Sequence, residues 1–246
     1  MGAIPEETME VVALLGECRM ERVAMRKFYH GYLGDKEVVV VFSRWGKVAA
    51  AVTVSILIEK YHITKLIFTG SAGAIDPRLQ VGDVVVGSRL VQHDFDGRPL
   101  YGRFVVPYLN LTYFESPVAD VQTACRAIKK FLQPQSLVVA VGSEALQEFH
   151  ITTATCYAGD IASGDQFIGN DEQKQQLAAS LPGLLCAEME GAAVAQACYE
   201  YGIPFLVIRY ISDSANGEAS IDFSAFIKKV AGQYSRGIVS RLLPLL

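Results

Sequence analysis

The sequence predicts an α/β fold in which helices flank a parallel or mixed sheet, with residues 1–246 forming one domain. Three observations carry that expectation. Stretches of helical periodicity alternate with short β-branched runs, and Gly-rich or polar turns separate them. Of 246 residues, 51% are hydrophobic and 20% charged, a balance able to bury a large core. No internal repeat or low-complexity linker interrupts the alternation.

In chain order, Val11, Leu14, Leu15 and Cys18 recur at helical spacing, so the first helix is expected from about Glu6, with Pro5 just before it. After the Gly34-Asp35 turn, Val38 to Phe42 reads as a strand and Lys47 to Tyr61 as a helix. Lys65 to Phe68 should be a buried strand that runs into the loop Thr69-Gly70-Ser71-Ala72-Gly73, whose glycines let backbone approach a ligand closely. Asp83 to Val91 is the next strand. Residues Gln92 to Pro117 carry Gly97, Pro99, Gly102, Pro107 and Pro117 among aromatics, a composition that suits a long ordered loop, and such loops serve as lids or interfaces. Val118 to Leu132 is expected as a helix, Leu137 to Val141 and Thr155 to Ser163 as strands, and Asp171 to Ala179 as a helix. Glu190 opens a helix to about Tyr201, Pro204 to Ser212 is a strongly apolar strand, and Phe223 to about Leu243 is an amphipathic helix.

Several function classes are excluded at this level. The net charge of -4, with both signs interspersed, leaves no basic stripe for nucleic acid and no polybasic membrane patch. The longest apolar stretch, around Val48 to Ile58, is broken by Thr53 and Ser55 and falls short of the roughly 18 to 20 residues of a bilayer span. Five cysteines without C-x-x-C spacing fit a reduced, cytoplasmic protein. His30, His62, His93 and His150 show no metal-ligand spacing, and Gly70 with Gly73 lacks the dinucleotide fingerprint, so neither a metal nor a cofactor is expected.

The chemistry concentrates at strand ends, where ligands collect in α/β sheets. Gly70 to Gly73, Gly164 to Ile168 and Ser212 to Ser214 end there together, and Glu7, Glu188, Glu190 and Asp213 supply acids. Cleavage of an N-glycosidic bond suits such a set. The sugar develops oxocarbenium character and needs negative charge nearby, while the base departs once a nitrogen is protonated. A protonated Asp213 would supply that proton, which requires a carboxyl held neutral by desolvation after the apolar run Phe205 to Ile208. An ionised Glu7 would activate water, an ionised Glu190 would hold ribose hydroxyls and stabilise the cation, and Met189 would give an apolar floor. Taken singly, each acid is equally well read as structural: Glu188 and Glu190 as helix N-terminal acids, Asp213 as a loop cap.

The segments Gly2-Ala3-Ile4-Pro5-Glu6-Glu7, Trp45-Gly46-Lys47-Val48-Ala49-Ala50-Ala51, Thr69-Gly70-Ser71-Ala72-Gly73, Val81-Gly82-Asp83, Ser163-Gly164-Asp165-Gln166-Phe167-Ile168, Glu188-Met189-Glu190 and Ile211-Ser212-Asp213, in that order, resemble the bacterial 5'-methylthioadenosine/S-adenosylhomocysteine nucleosidases. The resemblance implies a nucleoside phosphorylase-type three-layer α/β/α fold with a mixed central sheet, a homodimer, and a small-molecule nucleoside as substrate. It also implies roles: Asp213 as the acid at purine N7, Glu7 as the base acting on water, Glu190 with Met189 on the ribose. Glu188, Arg209 and Ser71, with the neighbouring Ala72, Gly73 and Ser212, would shape the water and ribose surroundings. Phe167 would stack on the base, the backbone of Ile168 would read its edge, and Phe223 and Trp45 would close the pocket.

Two departures bear on this. Members carry a short apolar strand before the Gly-Ala segment, where this chain has Met1-Gly2, so the strand expected to carry Glu7 is absent or truncated. The stretch Phe95 to Ala158 has its own pattern at His93-Asp94-Phe95-Asp96 and leaves the 5' substituent unspecified. Two other readings therefore share these residues: a purine nucleoside phosphorylase, and a nucleoside-binding homologue without catalysis. Against phosphate as nucleophile stand Ile67-Phe68-Thr69 before Gly70, where purine phosphorylases carry an arginine, and the negative charge of Glu7.

Overall fold

The computed structural model describes residues 1–216 and 219–246. Strands β1 (Gly16–Val23), β2 (Arg26–Leu33) and β3 (Lys36–Val41) form a three-stranded antiparallel sheet. The second sheet is mixed and has six strands: β4 (Leu66–Ala74), β5 (Val84–Gln92), β6 (Phe114–Glu115), β7 (Cys156–Ser163), β8 (Leu184–Glu188) and β9 (Phe205–Asp213), in the order β6-β5-β7-β8-β4-β9. It curls until β5 also pairs with β9, so the sheet is closed on itself. Helices α1 (Pro5–Val12), α2 (Lys47–Tyr61), α3 (Val118–Phe131), α4 (Pro134–Val141), α5 (Ser143–Glu148), α6 (Asp171–Ser180), α7 (Gly191–Tyr201), α8 (Ala219–Phe226) and α9 (Gly232–Leu242) surround it, with a π-helical turn, Ile227–Ala231, joining the last two. Among the described residues no helix is long and apolar enough to cross a membrane.

The core follows from the apolar runs. Val84, Val85 and Val86 of β5, Ile161 of β7 and Leu206, Val207 and Ile208 of β9 are fully buried, and α3 and α9 pack Ile128, Phe131, Tyr234 and Ile238 against them. Every residue of β9 is buried, as a central strand requires. Asn170 caps α6 by accepting the Gln173 amide at 2.9 Å, a contact of about 1 kcal/mol.

The two sheets meet at the start of the chain. Gly2 pairs in parallel with both Phe42 and Thr69, and the Met1 amine donates to the Ile67 carbonyl at 2.8 Å. The strand expected to be absent or truncated is thus represented by this one bridging residue, and it is enough to set α1 beside β4. A groove lined by residues of β3 and β4 and by Glu7 of α1 runs on from that bridge.

The structure corrects several expected elements. Helix α1 ends at Val12, and Cys18 lies in β1 instead of on a helical face. β1 and β2 were not expected, because β1 is almost entirely exposed and shows no alternation. Their two-residue turn places Ala24 and Met25 at φ of 44° and 62°, a geometry that Asn-Gly ordinarily signals and Ala-Met conceals. Thr69 to Gly73 is the end of β4 and not a loop. Leu137 to Val141 is helical: Pro134 starts α4, only Leu137 of that helix is buried, and exposed Val138 and Val139 have no neighbouring strand to pair with. β8 and the short α5 were also unlisted in the expectation, and the C-terminal helical stretch begins at Ala219, ahead of Phe223.

Candidate active site

Four strand ends converge. β4 and β8 overlap only at their carboxyl ends, where Gly73 faces Ala187 and Ala74 faces Cys186; Ser163 of β7 is level with Glu188. On the other side of β4 the register slips by one residue, so that Ala72 faces Ile211 but Gly73 faces Asp213. Ser212 is the extra residue of this bulge, and bulges of this kind re-aim side chains beside functional sites. Gly73 also leaves room for the acid, since a Cβ there would lie 2.9 Å from Asp213 Oδ1.

The cleft above these ends has a cavity volume of about 90 Å³. It is lined by Trp45, Ser71, Ala72, Gly73, Phe167, Ile168, Glu188, Met189, Glu190, Ser212, Asp213 and Phe223, together with Ala3, Ile4, Gln166 and Ala187. Every candidate except Glu7 and Arg209 therefore faces one cavity. Those two lie behind its wall, fully buried.

The acids differ in their surroundings. Asp213 is buried, with Oδ1 accepting the Ala215 amide and Oδ2 the Ser212 hydroxyl, each at 2.9 Å. Glu188 is engaged on all sides: it accepts the Glu190 and Gly191 amides that open α7, the Ser163 hydroxyl, and Arg209 Nη2 at 2.6 Å. Glu188 thus caps the helix and lines the cleft. Arg209 lies 4.1 Å over the Phe68 ring; burial opposes its charge, but Glu188, Glu190 and Glu7 outweigh that and hold it protonated.

Glu190 reaches the cleft from the position before α7, and its Oε1 accepts the Gly46 amide at 2.8 Å. Gly46 needs its glycine: φ is 89°, and a Cβ would meet Asp165 at 3.0 Å. Burial first, and then the Glu188 charge, push the Glu190 carboxyl up to about 8.

Glu7 sits at the start of α1, its Oε2 accepting the amides of Ala3 and Ile4 at 3.1 Å each. Its other oxygen accepts the hydroxyl of Tyr210. Burial raises its carboxyl to about 7, against the lowering pull of Tyr210, Arg209 and the two amides. Tyr210 was missed in the sequence, where it reads as one more large apolar residue of β9; a phenol beside the Arg209 position was the available signal. The aromatic wall is looser. Phe223 lies between Trp45 and Phe167 with ring centroids 6.3 and 6.0 Å away, both edge-on, and Trp45 is 59% and Phe167 44% exposed. Behind it, Lys47 Nζ pairs with Asp94 at 2.6 Å and Asp94 accepts the Asp165 amide at 2.8 Å, which ties α2 to the 164–168 loop. Among the described residues no cluster of His, Cys, Asp and Glu is arranged to hold a metal.

The profile of the phosphorylase superfamily matches residues 1–244. A 5'-methylthioadenosine/S-adenosylhomocysteine nucleosidase of Staphylococcus aureus (strain bovine RF122 / ET3-1) is 36% identical over 248 residues, covering 98% of each chain. Among solved structures, the S-adenosylhomocysteine nucleosidase of Streptococcus pyogenes, bound to 5-methylthiotubericidin, is 33% identical with a TM-score of 0.85, covering 100% of this chain and 94% of that one. The 5'-methylthioadenosine/S-adenosylhomocysteine nucleosidase of Neisseria meningitidis, bound to methylthio-immucillin-A, is 30% identical with a TM-score of 0.87, covering 100% and 97%. With a converging cleft of buried acids and likeness along its whole length, this chain belongs to the phosphorylase superfamily and, within it, to the 5'-methylthioadenosine/S-adenosylhomocysteine nucleosidase family.

Proposed function

We propose that this enzyme hydrolyses the N-glycosidic bond of adenine nucleosides of the 5'-methylthioadenosine and S-adenosylhomocysteine type, releasing adenine and the 5'-substituted ribose. The observation that carries the reading is the bulge at Ser212, which sets Asp213 opposite Gly73 and in the same cleft as Glu190. The purine lies against Phe167, with the Ile168 backbone at its edge. As the C1'–N9 bond breaks, its electron pair passes to the purine and Asp213 delivers a proton to N7. Glu190 binds ribose hydroxyls, and its carboxylate form sets negative charge beside the positive charge growing on the sugar. Met189 packs beneath the sugar. Water adds its oxygen to C1' and gives a proton to Glu7.

Water fits this site better than phosphate. Arg209 is already committed to Glu188, and a phosphate dianion near Glu7 and Glu188 would be repelled. The deciding assay follows free adenine from 5'-methylthioadenosine with and without inorganic phosphate. Adenine release independent of phosphate is expected; release only with phosphate would establish phosphorolysis, and saturable binding with no adenine would establish a binding protein.

Residues 1–246 act as one domain in this reading, in the cytoplasm, where the five free cysteines stay reduced. A homodimer is supported by Leu100 and Tyr108 of the 92–117 segment, which are 86% and 92% exposed. Light scattering on the purified protein checks it: a monomer mass would remove that part of the proposal.

A further inference from the structure

Tyr210 is a fully buried phenol one residue past Arg209, and its contacts are not those of a packing aromatic alone. Its ring stacks on Phe226 at 5.9 Å and meets Tyr234 edge-on at 5.6 Å, which a phenylalanine could also do. Its hydroxyl, however, donates to Glu7 Oε1 and lies 3.3 Å from Ser235 Oγ, which in turn lies 3.2 Å from Thr69 Oγ1. A carboxylate offers about four acceptor positions. The amides of Ala3 and Ile4 take both on Oε2, and Tyr210 takes one on Oε1. One acceptor direction remains, and it is on the oxygen that Tyr210 holds.

We propose that Tyr210 is the positioning residue for Glu7: its hydroxyl, steadied by Ser235 and Thr69, fixes the carboxylate so that the last acceptor direction on Oε1 takes the attacking water. The inference rests on Glu7 being the base that activates water. The same donor also favours the ionised carboxylate that a base must be. The other groups acting on Glu7 are Arg209 from β9, the Ala3 and Ile4 amides before α1, the Met1 amine, which burial lowers to about 5 and so keeps neutral, and Glu190 across the wall. None of the side chains among them replaces the phenol if it is removed, since Arg209 is occupied by Glu188.

The test is Tyr210→Phe, which keeps the ring packing and deletes the donor. Its kcat should fall about 10- to 100-fold, the range of one hydrogen bond to a charged group, with KM unchanged. The acid limb of its kcat/KM profile should move to higher pH, because the phenol that is lost is a donor that lowers the Glu7 carboxyl. Wild-type kcat with an unmoved limb would overturn the inference, because a merely structural tyrosine lowers stability without moving a limb. Ser235→Ala is the second variant, for use if the first does not fold, and should shift the limb in the same direction by less; no shift there also counts against the proposal. Glu7→Gln separates the two levels. Loss of turnover in Glu7→Gln with an unshifted Tyr210→Phe sinks only the role of Tyr210, whereas full turnover in Glu7→Gln sinks the reading of Glu7 itself.

Discussion

The two sides of the cleft are built to different tolerances. On the strand-end side, Glu188, Arg209, Glu7 and Tyr210 are all buried, and each is held by neighbours in strand or helix. On the aromatic side, Trp45, Phe167 and Phe223 touch only edge-on, and Trp45 and Phe167 are exposed. The difference teaches that charge must be placed before substrate arrives, because moving a buried ion is costly, whereas a flat base needs only a surface that can settle on it.

The sharpest way to break this contrast lies on the rigid side. Asp213→Asn keeps the two hydrogen bonds to Ser212 and Ala215 within reach but removes the transferable proton, so adenine release should fall by about 10² to 10⁴ while the melting temperature holds. An unchanged rate would remove the acid assignment. Next comes Arg209→Met, which leaves Glu188 buried without its cation. A loss of about 3 to 5 kcal/mol is expected, seen as a melting temperature lower by roughly 6 to 20 °C. A stable Arg209→Met protein would mean that this side is no more constrained than the other.

On the loose side, Phe167→Ala should cost about 1 to 3 kcal/mol of base stacking and appear mainly as a raised KM. A collapse of kcat would instead show that Phe167 positions the purine for proton transfer. A further expectation concerns pH. Unfolded glutamates titrate near 4.5, but folding raises Glu7 to about 7 and Glu190 to about 8, mainly by burial. The folded protein therefore keeps protons that the unfolded chain has released. This contribution to stability is whole below about 4.5 and drains away as pH climbs, until it is gone above about 8. Melting temperature should decline across that window, and Glu190→Gln should flatten its upper part; an identical slope in the variant would contradict the raised Glu190 value.

The same contrast explains what the sequence revealed. Asp213, Glu188 and Glu190 were legible as a set: each alone reads as a cap, but together, at strand ends and in order with the glycine segments, they point to one cleft. The cleft itself was legible through its glycines. Hidden were features that depend on long-range pairing: β1, whose exposed charged surface carries no period, and the Ala24-Met25 turn, whose residues disguise their backbone geometry. Leu137 to Val141 misled because β-branched residues on the surface have no strand partner to satisfy, and Pro134 decides the matter locally. The positions of Glu7 and Arg209 behind the wall, and the contact of Tyr210 with Glu7, come from strand register, which spacing along the chain does not encode.

Ser212, the surplus residue in the ladder between β4 and β9, sets a rule for redesign. The span from Arg209 to Asp213 can be neither shortened nor lengthened. A single deletion there would invert the alternation of everything beyond it, turning the rim carboxyl into the packed interior and handing its place to a neighbour with no proton to give.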